Sequence, residues 1–127
     1  MNMITSPNKT ITSDDTRVQL FKLLGHPTRL AILELLRDGE HCVCHMEAYL
    51  GLRQAAISQQ LSILRDAGMV LDRRDGWNIF YRLSDISILK LLDEAAALTG
   101  LTNLEPAAPS VDCCCPHCAS KSKNLSN

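Results

Sequence analysis

Residues 53–83, RQAAISQQLSILRDAGMVLDRRDGWNIFYRL, decide the fold. In the first half, Ile57, Leu61 and Leu64 recur at i, i+4 and i+7, the spacing of one helical face. Gln54, Ala55, Ser58, Gln59, Ser62 and Arg65 fall on the opposite face, and Gly68 ends the helix. In the second half, MVLDRR (69–74) and WNIFYRL (77–83) are rich in β-branched and aromatic residues and flank Asp75 and Gly76. An Asp-Gly pair between such runs predicts a β-hairpin with a two-residue turn. Trp77, Ile79, Tyr81 and Leu83 alternate with Asn78, Phe80 and Arg82, so these aromatics are expected inside the hairpin's packing.

Upstream, Ser13 or Asp14 is the expected cap of a helix whose Val18, Leu20, Phe21, Leu23 and Leu24 form a wide apolar stripe ending at Gly25. Pro27 suits the first turn of a second helix, which Leu30, Ile32, Leu33, Leu35 and Leu36 carry to Gly39, and His26 before it is expected to be structural. A short helix is expected over about residues 44 to 50, closed by Gly51. Downstream, Ser84 or Asp85 is expected to cap a last helix that is apolar almost all round, from Ile86 to Leu98. A domain this small has little interior to cover such a helix. Part of it, with the first helix, is therefore expected to form a homodimer interface.

The chain has 127 residues, enough for one domain: residues 1–13 read as a flexible lead, 14–100 as the folded unit, and 101–127 as a linker with a Cys-rich tail. With 46% hydrophobic and 21% charged residues the composition is globular, and no apolar run approaches the roughly 20 residues of a membrane helix. Residues 1–13 do not resemble a secretory signal, so a cytoplasmic location without membrane attachment is expected. The net charge of -1 gives no general argument for nucleic acid. Its distribution does: Arg53, Arg65, Arg73, Arg74 and Arg82 against Asp66, Asp72 and Asp75 leave five minus three, a local +2, on the helix and hairpin.

Two short helices, an amphipathic third and a two-stranded ribbon make a mainly α winged helix-turn-helix with a β-hairpin wing. A helix fits the major groove, where Gln pairs with adenine, Ser with several bases and Ala with the thymine methyl. Gln54, Ala55, Ser58, Gln59 and Ser62 have that chemistry, and Arg65, Arg73 and Arg74 are better suited to phosphates. The partner expected is double-stranded operator DNA. No Gly-rich phosphate loop, HExxH or Ser-His-Asp arrangement points to an enzyme.

Six Cys fall into two clusters, Cys42 with Cys44 and Cys113, Cys114, Cys115 with Cys118, which in a reducing compartment read as ligand sets or redox thiols. On a regular helix Cys42 and Cys44 would point about 200° apart. Joint chelation therefore requires Cys42 to lie before the helix or the helix end to distort. Thiolates select soft ions such as Zn(II), Cd(II), Pb(II), Cu(I) or As(III). His41 and His45, beside the pair, are expected as exposed polar side chains. In the tail, Cys113 and Cys115 share a side when extended, and Pro116 favours a turn that returns Cys118. The tail is thus either a self-contained site or a donor of thiolates to Cys42 and Cys44. Cys115 to Cys118 also reads CPHC, but no βαβ unit precedes it to support a thioredoxin-like enzyme.

Residues 24–85 resemble the ArsR/SmtB family of dimeric winged-helix repressors that sense metals and metalloids, most specifically in HPTRLAIL (26–33), CVC (42–44), QAAISQQLSILRDAGMV (54–70) and DGWNIFYRL (75–83). The resemblance implies a repressor released from operator DNA by its inducer, As(III), Cd(II), Pb(II) or Zn(II), with Cys42 and Cys44 as ligands, tail Cys recruited to them and no organic cofactor. Three departures stand out. Arg53 replaces the Ser that often caps the recognition helix, Glu47 stands where arsenic-sensing relatives often have a third Cys, and Asp85 is followed by Ser87 rather than the His of the last-helix zinc site. A thiol-redox or persulfide-sensing repressor, and a metal-sequestering or thiol-transfer protein, are the rival readings.

Overall fold

A computed structural model describes residues 10–101. The order of elements is α1 (Thr16–Leu24), α2 (Pro27–Leu35), a 3-10 turn (Leu36–Asp38), β1 (His41–Cys42), α3 (Val43–Leu50), α4 (Gln54–Asp66), β2 (Val70–Asp75), β3 (Asn78–Leu83) and α5 (Ser87–Leu98). This is the mainly helical, winged helix-turn-helix architecture that the periodicity predicts. Among the described residues no helix is long and apolar enough to cross a membrane.

The core follows from the apolar stripes. Ile32, Leu33 and Leu36 meet Met46 of α3, the Ile57, Leu61 and Leu64 face of α4, Val70 and Tyr81 of the sheet, and Ile88 and Leu92 of α5. Gly51 ends α3 with φ 66, a left-handed conformation that glycine adopts without a Cβ penalty, and this permits the tight turn into α4.

Four local expectations are corrected. The α1 cap is Asp15, whose carboxylate accepts from the Arg17 backbone N–H at 2.8 Å. The cap position of α5 is Ile86, so of the two residues expected there Asp85 serves the helix from one place upstream, accepting from Ser87 N–H at 2.8 Å, while the Ser84 hydroxyl donates to the Gly68 carbonyl at 2.6 Å and closes the base of the wing. The wing turn is Gly76–Trp77, because Asp75 pairs with Asn78 and stays in the strand. Finally, the sheet has three antiparallel strands in the order β1-β3-β2, not two. Pairing sets His41 opposite Tyr81 and Cys42 opposite Phe80.

Directly opposed residues share a sheet face, and successive residues alternate between faces. Val70, Leu83, Tyr81 and Ile79 therefore turn to the main core, as the alternation predicts. Cys42, Phe80 and Arg73 form a cross-strand row on the other face.

Candidate functional site

The polar face of α4 is open. Gln54, Ala55, Ser58 and Gln59 are exposed and Ser62 is half-buried, while Ile57, Leu61 and Leu64 anchor the helix from behind. Arg53 occupies the N-cap with extended backbone and makes no side-chain cap bond, so the first backbone N–H groups of α4 keep their donor capacity. Thirteen residues give this helix a length of about 20 Å.

The three arginines assigned to phosphates differ in their surroundings. Arg65, in the last turn of α4, lies 3.5 Å from Asp72 and 3.9 Å from Asp66. The first contact joins the polar face of α4 to strand β2. Arg73 is held more firmly: its guanidinium donates to both Glu40 carboxylate oxygens, at 2.5 and 3.2 Å, and lies 4.9 Å from the centroid of the Phe80 ring. These bonds stabilise its charged form and raise its pKa. Arg74 is exposed, and among the described residues it has no ion pair.

Trp77 stands at the tip of the wing and is 99% exposed, against the expectation that it packs inside the hairpin. The register explains this. Burial of Tyr81 and Phe80 fixes β3, and the strand ends one residue short of the indole.

The sulfur pair meets the geometric condition set by its spacing. Cys42 ends β1 and caps α3 with φ -85 and ψ 164, whereas Cys44 is inside the helix. The extended residue swings the first sulfur back over the second, and the two Sγ atoms lie 3.0 Å apart. That exceeds the roughly 2.05 Å of a disulfide, so these are thiols. Cys42 and Phe80, each 1% exposed, form a small cluster of their own with Cys44 beside them. Behind Phe80 stands Arg73.

His41 and His45 are half-buried rather than exposed. Their rings stack at 4.5 Å between centroids, Tyr49 continues the column at 6.0 Å, and His41 Nε2 lies 3.1 Å from Asp38. His26 is structural: its Nδ1 caps α2 by accepting from Thr28 N–H at 3.1 Å.

Two converging thiols fit the donor set of a soft ion, which prefers sulfur at neighbouring vertices of a small polyhedron. Among the described residues, no group of three or more His, Cys, Asp and Glu is placed to hold one. Further ligands would have to come from elsewhere. Cys113, Cys114, Cys115 and Cys118 lie outside the described residues.

Residues 26–71 match the family model described as bacterial regulatory protein, arsR family. The chain is 43% identical over 79 residues to the Biofilm growth-associated repressor of Agrobacterium fabrum, an alignment covering 62% of this chain and 68% of that one. It is 44% identical over 82 residues to the Arsenical resistance operon repressor of Escherichia coli K12, covering 61% and 70% respectively. Among solved structures it resembles Rv0081 of Mycobacterium tuberculosis, with a TM-score of 0.66 and 35% identity over 72% of this chain and 92% of that one.

Proposed function

The chain belongs to the arsR family of bacterial regulatory proteins, a class of transcriptional repressors without enzymatic activity, and from that premise we propose a homodimeric, cytoplasmic repressor that a thiophilic ion releases from a two-fold operator. In this reading Gln54, Ala55, Ser58, Gln59 and Ser62 face base edges in the major groove. Arg65, Arg73 and Arg74 serve the phosphates.

The wing extends the contact. From Asp72, beside Arg65, three strand residues carry the chain about 10 Å to the turn. With α4 seated in a groove about 12 Å wide, that reach is long enough for Trp77 to meet the neighbouring backbone, and this reading assigns it there. The apolar side chains left exposed on α1, just before α5 and at its end, among them Phe21, Ile86 and Leu98, support the dimer.

The observation that carries inducer control is the 3.0 Å approach of the Cys42 and Cys44 sulfurs beside β3, the wing strand that β1 pairs with. Both thiolates, joined by tail Cys, would hold As(III), Cd(II), Pb(II) or Zn(II), and the ion would supply positive charge that keeps the sulfurs deprotonated. Cys42 is close-packed against Phe80, and Phe80 supports Arg73, so a shift at the thiols reaches a wing arginine through two side chains. The same sulfur approach favours a second reading, control by an intrachain disulfide.

Anisotropy titration of operator DNA with the four ions, at reduced thiols, tests the first reading. Release by at least one ion is expected, with a ligand-to-metal charge-transfer band; indifference to all four refutes ion control. Release by oxidant that persists in strong chelator assigns control to the disulfide instead.

A further inference from the structure

Arg29 stands in the first turns of α2, and its guanidinium bonds to two other helices at once. Nε donates to the Leu23 carbonyl at 2.7 Å and Nη2 to the Lys22 carbonyl at 3.3 Å, both in the last turn of α1. Nη1 donates to Oε1 of Gln60 at 2.9 Å, near the middle of α4. The last carbonyls of a helix lack intrahelical donors and carry the negative end of its dipole, so a cation there is favourable. A planar fork with fixed donor directions also constrains angle, which an ammonium does not.

Gln60 is half-buried, between exposed Gln59 and buried Leu61. Its amide is therefore turned from the groove side and serves the interior. Ile57, Leu61 and Leu64 decide which face of α4 is inward, but apolar contacts are non-directional and tolerate a small tilt. The hydrogen-bonded clamp is directional.

We propose that Arg29 and Gln60 are positioning residues for DNA recognition, locking the tilt of α4 to the C-terminal end of α1 and so fixing the separation of the two reading helices in the dimer. This inference rests on the reading of the chain as a dimeric repressor whose interface includes α1. Its leverage is geometric. A tilt of about 10° about Gln60 moves Gln54, about 9 Å away along the helix, by about 1.6 Å. Two protomers moving symmetrically change the separation by about 3 Å, close to the roughly 3.4 Å rise of one base pair. Half-sites sit about 34–36 Å apart on one face of the duplex, so an error of one step takes the second helix out of register.

The test uses the full-length protein and a duplex that the wild type has selected from a random two-fold library. Derivatives carry the half-sites one base pair closer and one farther apart. Wild type is expected to lose about tenfold or more in affinity on either derivative. Gln60→Ala, confirmed folded and dimeric by circular dichroism and sedimentation, is expected to lose threefold or less, about, on the same change, and Arg29→Lys to behave likewise, because a point charge cannot span three acceptors. Gln60→Glu keeps an acceptor for Arg29 and is expected to retain the tenfold discrimination, about, even where its added charge weakens binding to every duplex. A role in stability alone would lower affinity without flattening the spacing profile.

Discrimination by Gln60→Ala as sharp as that of wild type overturns the inference while leaving the repressor reading intact. A wild type that binds the duplex but ignores half-site spacing overturns both.

Discussion

Replacing Trp77 by Ala removes a side chain that the folded monomer leaves 99% exposed, so the substitution is expected to change binding far more than stability. An indole buries about 150–250 Å² when covered. Covering half of it against the sugar-phosphate wall of a groove removes about 100 Å², worth about 2.5 kcal/mol at 25 cal/mol per Å². Ordering the side chain takes back about 0.5–1 kcal/mol. The net, about 1.5–2 kcal/mol per wing, is about 10- to 30-fold in affinity, and two wings on one operator raise the loss to about a hundredfold or more. Trp77→Phe keeps an aromatic ring and should lose less. The chain has a single Trp, so its emission reports the wing tip alone. Saturating operator DNA is expected to shift that emission to the blue and shield it from iodide. An unchanged spectrum at saturation, together with a Trp77→Ala affinity within twofold of wild type, would refute the placement of the wing on DNA.

Three further outcomes are expected. Cys42→Ser with Cys44→Ser should abolish ion-induced release and the charge-transfer band without weakening operator binding by the ion-free protein; retained release by the double variant would move the inducer site elsewhere. Phe80→Ala should cost about 3–5 kcal/mol in urea unfolding, because the ring is buried between β1 and the Arg73 guanidinium; a loss under about 1 kcal/mol would deny it a packing role. The Asp15 carboxyl is lowered to about 2, first by the side-chain bond from Arg17 and then by the Arg17 backbone N–H. Its folded value is below the unfolded one, so its contribution to α1 is fully present above about pH 4 and is lost as pH falls toward 2. Carboxyl-carbon NMR should give a midpoint near 2, and a midpoint at 3.8 or higher would contradict the cap.

The five helices and the hairpin were legible because each carries several apolar residues at a fixed period, and one wrong position does not hide a stripe of three or four. Short features were not. Strand β1 is only His41 and Cys42, too few residues to show any alternation, and it exists because β3 has a free edge to pair with. The wing turn slipped by one residue from Asp75–Gly76 to Gly76–Trp77 because the register is set by buried Tyr81 and Phe80 rather than by the turn dipeptide. That slip put the only Trp outside. Arg73 looked, in sequence, like any other wing arginine; its bonds to Glu40, 33 positions away, and its place over Phe80 follow from strand order alone.

The amino-acid sequence by itself determined the helix-turn-helix with its wing, the polar outer face of α4, and the condition that Cys42 must leave the helix for two thiols to meet, since all of these depend on local periodicity and on backbone geometry over a few residues. Only the tertiary structure decided that β1 satisfies that condition, that Cys42, Phe80 and Arg73 stand in one row, and that Arg29 ties α1 to α4. Those contacts join residues distant along the chain, and their energies come from packing and hydrogen bonds that exist only once the elements have met.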